Sequence, residues 1–280
     1  MGVLSPSQVD HFKEQGYLVI EDVLSPTEIA EAREGLYASL RSRGIDPDDP
    51  STLSNIRNLS STHGAGGVLD IFYDDWKMKL IEHSLILHIM QDLWEQTFAF
   101  NSDPFSHPYG IFDSNKAYAY IDRICFRLPD SLSTLYGSKK KPLQRGLAPH
   151  LDCCPHNMFA KDAKKWKPIQ AFISLTDTLN KDEGGFECCP GIHKNFSRWA
   201  ENRTWTLDQY TGERVAPVCV GEFTPIRPVE DADIIEHFVH IPCIAGSIVL
   251  WDNRIPHANS RFNRSSRVRE AVYIGNLATS

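Results

Sequence analysis

From about Asn115 onward the apolar residues fall in short runs of β-branched, aromatic and aliphatic side chains separated by turn-formers, which is the spacing of strands. Candidate strands are Ala117 to Arg127, Ile169 to Leu175, Phe238 to Ile241, Ser247 to Trp251 and Val268 to Ile274. The chain ahead of them reads differently. Ser5 can cap a short amphipathic helix carrying Val9 and Phe12, Gly16 stops it, and Tyr17-Leu18-Val19-Ile20 follows as a strand. Ser25-Pro26-Thr27-Glu28 places a cap, a first-turn proline and an acidic residue ahead of a helix over Ile29 to Leu40. A second long helix is predicted from Asp74 through Trp76, Leu80, Ile81, Leu85, Ile89 and Leu93. Short strands after a helical start predict a mainly β sandwich or barrel with flanking helices. With no linker and no internal repeat, residues 1–280 are expected to form a single domain, 1–114 mostly helical and 115–280 the β core.

Composition narrows the partners. A formal net charge of −7 argues against a nucleic-acid or anionic-membrane surface over the whole molecule. No apolar run approaches the ~20 residues of a membrane span, and Met1 to Asp10 lacks a signal peptide's basic start and apolar stretch. Seven cysteines, an odd number, fit free thiols in a reducing compartment, so a cytoplasmic protein is expected.

The chemistry concentrates at Ala148-Pro149-His150-Leu151-Asp152. In extended backbone His150 and Asp152 lie on one face and can approach one ion together. A third candidate, His257, comes far downstream in Ile255-Pro256-His257-Ala258-Asn259. Two histidines and one carboxylate compose a facial triad that leaves coordination positions open. A bare His-x-Asp is a weak signal whose ordinary reading is a hydrogen-bonded pair, so its context must carry the claim.

That context resembles the phytanoyl-CoA dioxygenase family of Fe(II)/2-oxoglutarate-dependent oxygenases. The stretch Leu4 to Ile20 followed by Val23-Leu24-Ser25-Pro26 is similar to the family's opening, and His150-Leu151-Asp152 to its first ligands. Asp182-Glu183-Gly184-Gly185-Phe186 through Pro190-Gly191-Ile192-His193-Lys194 is similar to its central signature, with Ile192 where Ser is usual. Ala245 to Asp252, His257 and Arg269-Glu270-Ala271-Val272 follow its closing strand, distal histidine and arginine. The resemblance implies a double-stranded β-helix, a jelly-roll, cupin-like core with metal ligands lining its open mouth. It implies Fe(II), 2-oxoglutarate and O2 as cofactor and cosubstrates, ascorbate as a supporting reductant, succinate and CO2 as products, and hydroxylation of a small-molecule substrate as the usual outcome. Desaturation and rearrangement also occur within the family. Related halogenases replace the carboxylate of this motif by Gly or Ala, so the presence of Asp152 argues for oxygenation.

Site roles follow residue by residue. The resemblance makes Arg269 the first choice for the distal carboxylate of 2-oxoglutarate, a task that suits a bidentate, always-charged donor. Arg267 shares its strand parity and is the second choice. Asn259 stands where the family carries a further cosubstrate contact, and Arg123 either faces the cosubstrate, as in related enzymes, or is a strand arginine paired with an outer carboxylate. Arg261 and Arg264 are expected on a solvated loop, His193 beyond a turn as a structural residue, and His156 in a loop. Cys153-Cys154 and Cys188-Cys189 invite a zinc reading, but adjacent cysteines point to opposite faces and lack zinc-ligand spacing; buried thiols are the better account. Two basic runs, Lys139-Lys140-Lys141 with Arg145 and Lys161, Lys164, Lys165, Lys167, read first as solvated loops. As binding elements they would attract an anionic substrate. The rivals to an oxygenase are a non-catalytic metal-binding β-helix protein and a zinc module built on the cysteine pairs.

Overall fold

The computed structural model describes residues 2–98, 118–138, 141–155, 169–202, 206–207, 211, 214–215 and 223–277. Helix α1 (Pro6–Gln15) opens on a capping box in which Ser5 and Gln8 satisfy each other's backbone N–H groups. Gly16 ends it at φ 77°. A Cβ there would sit 2.2 Å from Ile255 Cδ1 and 2.6 Å from His193 Nδ1, so both the conformation and the packing require glycine. Strand β1 (Tyr17–Ile20) follows, then α2 (Pro26–Arg41), which repeats the device with Ser25 and Glu28.

The helix predicted from Asp74 is two helices, α3 (Asp75–Ile81) and α4 (Ser84–Thr97). His83 turns the chain between them with extended backbone (ψ 120°), and its Nε2 lies 3.1 Å from Glu28 Oε1 on α2. No Gly or Pro marks this break. It is set by tertiary contact: Leu80 and Ile81 of one helix and Ile86, Ile89 and Leu93 of the other enter the same core.

The larger sheet has the order β1-β11-β5-β13-β3-β2, with β2 at Val68–Leu69, β3 at Tyr118–Arg127, β5 at Ile169–Ser174, β11 at Ile248–Asp252 and β13 at Arg269–Leu277. The smaller runs β10-β6-β12-β4-β9, with β4 at Leu147–Leu151, β6 at Phe186–Cys188, β9 at Thr224–Pro225, β10 at Val239–His240 and β12 at His257–Asn259. A separate ribbon pairs β7 (Thr206–Leu207) with β8 (Arg214–Val215). All the strand pairings are antiparallel. The fold is thus mostly β, two antiparallel sheets with flanking helices, as expected. The expected strand Tyr17–Ile20 is β1, at one edge of the larger sheet, and the opposite edge, β2, also comes from the N-terminal part.

Alternation along the larger sheet separates two cores. Ile124, Phe126, Ile173, Leu250 and Val272 face outward and pack with Leu36 and Leu40 of α2 and with the residues of α3 and α4. Cys125, Phe172, Val249, Trp251 and Ala271 face inward and meet Phe186 and Cys188 of the smaller sheet. Because both faces are covered, β5 and β11 read as continuous apolar runs. Glu270, fully buried on the outward face, accepts from Arg33 Nε (2.7 Å) and Tyr37 Oη (2.7 Å) and ties α2 to β13. Among the described residues no helix is long and apolar enough to cross a membrane.

Candidate metal centre and cosubstrate pocket

The smaller sheet brings the candidate ligands together. His257 on β12 is paired directly with His150 on β4, so both imidazoles leave the same face of the sheet, with ring centroids 4.4 Å apart. Asp152 sits just beyond the end of β4 with the same parity; its Oδ1 is 3.4 Å from His150 Nε2 and its Oδ2 is 3.5 Å from His257 Nε2. One donor atom from each of the three lies within 4.8 Å of the others, and this is the one such His/Cys/Asp/Glu group among the described residues.

Backbone carbonyls fix the tautomers. His150 Nδ1 is 2.8 Å from Ala148 O and His257 Nδ1 is 3.0 Å from Ile255 O. A carbonyl only accepts, so each Nδ1 carries the proton and each Nε2 presents its lone pair to the shared space. Burial, with His150 beside it, holds the His257 imidazole below its ordinary value, against the pull of Asp152. Burial pushes the Asp152 carboxyl up, but in the metal-free protein a proton on Nε2 of His150 or His257 supplies the charge and hydrogen bond that outweigh it and hold the group well below the usual carboxylate range. Two neutral imidazole nitrogens and one carboxylate are the donor set that suits Fe(II) and related divalent ions.

The sequence reading did not find the group that orients this carboxylate. Gln170 Nε2 donates to Asp152 Oδ2 at 2.8 Å. The carboxylate can only accept, so the Gln170 amide is oriented by chemistry, and its buried Oε1 is left without a partner. Replacing Gln170 with leucine is expected to weaken metal binding roughly 10- to 100-fold while leaving the melting temperature near that of the wild type. A Mn(II) titration followed by electron paramagnetic resonance measures this, and unchanged affinity would refute the orienting role.

A cavity of about 780 Å³ opens over the triad. Phe223 stacks on His150 (4.9 Å), and Trp251 and Phe186 flank His257 (5.1 and 6.0 Å). The Trp251 Nε1–H, buried in this wall, also lacks a partner. A β-bulge between β13 and β3 also shapes the cavity. Val272 pairs with Ile124 and Ile274 with Ile121, so Asp122 and Arg123 together face Tyr273, and all three line the cavity. Lys77, itself buried, donates to the Asp122 carbonyl at this bulge.

Arg269 lies deeper, 2% exposed, on the inward face of β13. Its Nη1 donates to Asn259 Oδ1 (3.0 Å) and Cys125 Sγ (3.3 Å), and its Cζ stands 5.2 Å from the Phe172 ring centroid. Asn259 in turn donates through Nδ2 to Tyr273 Oη (3.2 Å). The Arg269 Nε and Nη2 groups are buried without a partner. These two N–H groups form the edge of a guanidinium that grips a carboxylate side-on, so the residues present fit the distal end of a dicarboxylate.

The other expected residues fall in different places. Arg267, the second choice for this role, is exposed and its Nη1 is 3.7 Å from Asp177 Oδ2. The parity argument fails there because β13 begins only at Arg269; before it, Asn263 and Ser265 hold the Arg267 backbone in a loop. Arg123 is at the cavity mouth, half-exposed, beside Asp122 (3.4 Å), whereas the residue opposite Arg269 is Arg127. His193 is buried away from the triad, with Nε2 3.0 Å from Lys13 O. Arg261 and Arg264 are exposed around Phe262. Cys153, Cys154, Cys188 and Cys189 are all buried. Burial pushes the Cys188 thiol up, and Cys189 up to about 11, and among the described residues none of the four belongs to a group of donors that could share one ion. Lys141 and Arg145 are exposed, while Lys139, Lys140, the run from Lys161 to Lys167 and His156 lie outside the described residues.

The family model described as phytanoyl-CoA dioxygenase matches residues 148–271, the segment that holds His150, Asp152, His257 and Arg269. The resemblance read from the sequence is therefore borne out over that segment. No curated protein matches the sequence. Among solved structures, GlcNAc Inducible Gene 2 (GIG2) from Candida albicans superposes with TM-score 0.70 at 13% identity, covering 98% of this chain and 64% of that one, so this chain spans less than two thirds of its length. The non-heme alpha ketoglutarate dependent carbocyclase SnoK from nogalamycin biosynthesis gives 0.59 at 19% identity over 99% and 85%. The epimerase SnoN, crystallised with Fe3+, alpha ketoglutarate and nogalamycin RO, gives 0.54 at 14% over 97% and 82%. These likenesses show that this chain shares their fold, two antiparallel sheets with flanking helices.

Proposed function

We propose that this protein is an Fe(II)- and 2-oxoglutarate-dependent oxygenase that hydroxylates a small-molecule metabolite and releases succinate and CO2. The observation that carries the reading is the pairing of two features in one interior: three donor atoms within 4.8 Å at a cavity, and a buried arginine behind them whose carboxylate-gripping edge is unpaired. Both SnoK and SnoN, which share the fold, are alpha ketoglutarate dependent enzymes. Bound together, Fe(II) and 2-oxoglutarate supply the oxidising power to take hydrogen from an unactivated C–H bond with O2 as oxidant. The chain's own residues do the rest. His150, Asp152 and His257 hold the metal by one face, Gln170 keeps the carboxylate turned toward it, and Arg269 with Asn259 sets the depth and direction of the cosubstrate. Phe223, Trp251 and Phe186 form an apolar wall that excludes water beside the open positions. The unpartnered Gln170 Oε1 and Trp251 Nε1–H offer a substrate one acceptor and one donor, and Arg123 is the cation that an anionic substrate would meet at the mouth.

Succinate formation from 2-oxoglutarate with added Fe(II) and ascorbate tests the reading, and substrate-free turnover suffices for detection. Arg269→Leu is expected to raise the KM for 2-oxoglutarate about 100-fold or more, because a charge-assisted bidentate contact is lost in a water-excluded site. No succinate from the wild-type protein with any candidate substrate would favour a non-catalytic metal-binding role.

A further inference from the structure

A second buried arginine, Arg127, lies beside Arg269. Arg127 on β3 is paired directly with Arg269 on β13, so the two side chains leave the same, inward face of the sheet. Both are deeper along their strands than the residues that line the cavity, which on these strands are Tyr120, Asp122 and Arg123, and Tyr273, Ile274 and Gly275. Arg127 is 1% exposed. Its Nη2 donates to Asp130 Oδ1 at 2.7 Å, while Nε and Nη1 are buried without a partner. Together with Nε and Nη2 of Arg269, four guanidinium nitrogens in this layer lack an acceptor.

The charges are equally unbalanced. Asp130 is one-third exposed and also accepts the Asn263 backbone N–H (3.0 Å). Among the described residues no carboxylate lies within ion-pair reach of Arg269. Two buried guanidinium groups thus lie in one layer with a single, partly solvated carboxylate that touches only Arg127, an arrangement that is unfavourable unless an anion completes it. Burial pushes the Arg127 guanidinium below its ordinary value, and Arg269 acts in the same sense. Glycine lets this layer close: Gly67, at φ 67°, passes so near that a Cβ would lie 2.6 Å from Arg127 Cα.

We propose that Arg127 is a second anchor for the distal carboxylate of 2-oxoglutarate, working with Arg269. The inference rests on the cosubstrate assigned above. A carboxylate offers about four lone-pair sites. The Nε and Nη2 edge of Arg269 takes one from each oxygen, and an N–H of Arg127 takes a third and balances the second charge. The competing role is purely structural: Arg127 would serve only to hold Asp130 at the start of helix α5 (Asp130–Leu135).

Calorimetric titration of Mn(II)-loaded full-length protein with 2-oxoglutarate separates the two. In Arg127→Met, the Kd for 2-oxoglutarate should rise roughly 10- to 100-fold, the range for hydrogen bonds to a charged group. The affinities for Mn(II) and for 2-oxobutyrate, which lacks the distal carboxylate, should stay unchanged. Asp130→Asn should keep tight 2-oxoglutarate binding. Should Arg127→Met fail to fold, Arg127→Gln, which keeps a donor for Asp130, carries the same expectation. Wild-type affinity in the Arg127 variant, an equal loss for 2-oxobutyrate, or the same loss in Asp130→Asn would each overturn the proposal. Absence of metal-dependent 2-oxoglutarate binding in the wild-type protein would instead remove the cosubstrate assignment itself.

Discussion

Asp152→Ala is expected to leave less than about one thousandth of the wild-type turnover, because a facial site that loses its carboxylate loses both a ligand and the charge that favours a divalent ion. The fold should survive. Asp152 is 37% exposed at the rim of the cavity, its partners are the two histidines and Gln170, and no core apolar contact depends on it. The melting temperature should therefore change little while metal binding collapses, a combination that separates loss of a ligand from loss of structure. Mutant protein that retains both stoichiometric metal and succinate production would remove Asp152 from the site. The pH dependence follows from the same groups. Burial and the neighbouring His150 keep the His257 imidazole neutral to lower pH than a free histidine. Metal binding should thus persist as pH falls through about 6.5 and be lost only below that, where protons compete for Nε2.

The largest effect on stability is expected elsewhere, at the end of β11. Asp252 and Arg254 form an ion pair at 2.7 Å with side chains only 2% and 6% exposed. Arg254 Nε and its backbone N–H both donate to Asp252 Oδ1 (2.9 and 2.8 Å), so the carboxylate closes the turn that leads to Pro256 and His257. Burial pushes the Asp252 carboxyl up, but Arg254 more than offsets this and holds it below the usual range. Asp252→Ala removes the carboxylate that faces the buried Arg254 guanidinium and should lower stability by about 3–5 kcal/mol. The sign of the pH effect is that of a depressed carboxylate: the contribution is complete above the unfolded pKa of about 3.9 and is lost as pH falls through the lower folded value. Urea unfolding at neutral pH measures the loss, and a change below 1 kcal/mol would show that the pair is not a stabilising closure.

The parts of this molecule that the sequence made legible are those whose signal is local. Ser25 and Glu28, or Ser5 ahead of Pro6, announce helix starts through chemistry contained in four residues. β5 and β11 are buried on both faces and stand out as apolar runs. In the smaller sheet β10 lies within the strand expected over Phe238 to Ile241, but β6 and β12 with three residues each and β9 with two are too short for periodicity to register. His150, Asp152 and His257 were found through ligand chemistry and motif order instead. What escaped depends on cross-strand register and tertiary contact. The break at His83 is imposed by packing, and Arg267 looked equivalent to Arg269 because a sequence does not say where β13 begins. Gln170 and Arg127 left one usable trace, a polar residue at an inward position within Ile169-Gln170-Ala171-Phe172 and Cys125-Phe126-Arg127-Leu128.

Anaerobic titration of the Fe(II)-loaded protein with 2-oxoglutarate tests the central claim most directly. One equivalent should bind per chain, only when the metal is present, and binding should be lost in both Asp152→Ala and Arg269→Leu. No binding by the wild-type protein, or binding that is the same with and without the metal, would contradict it.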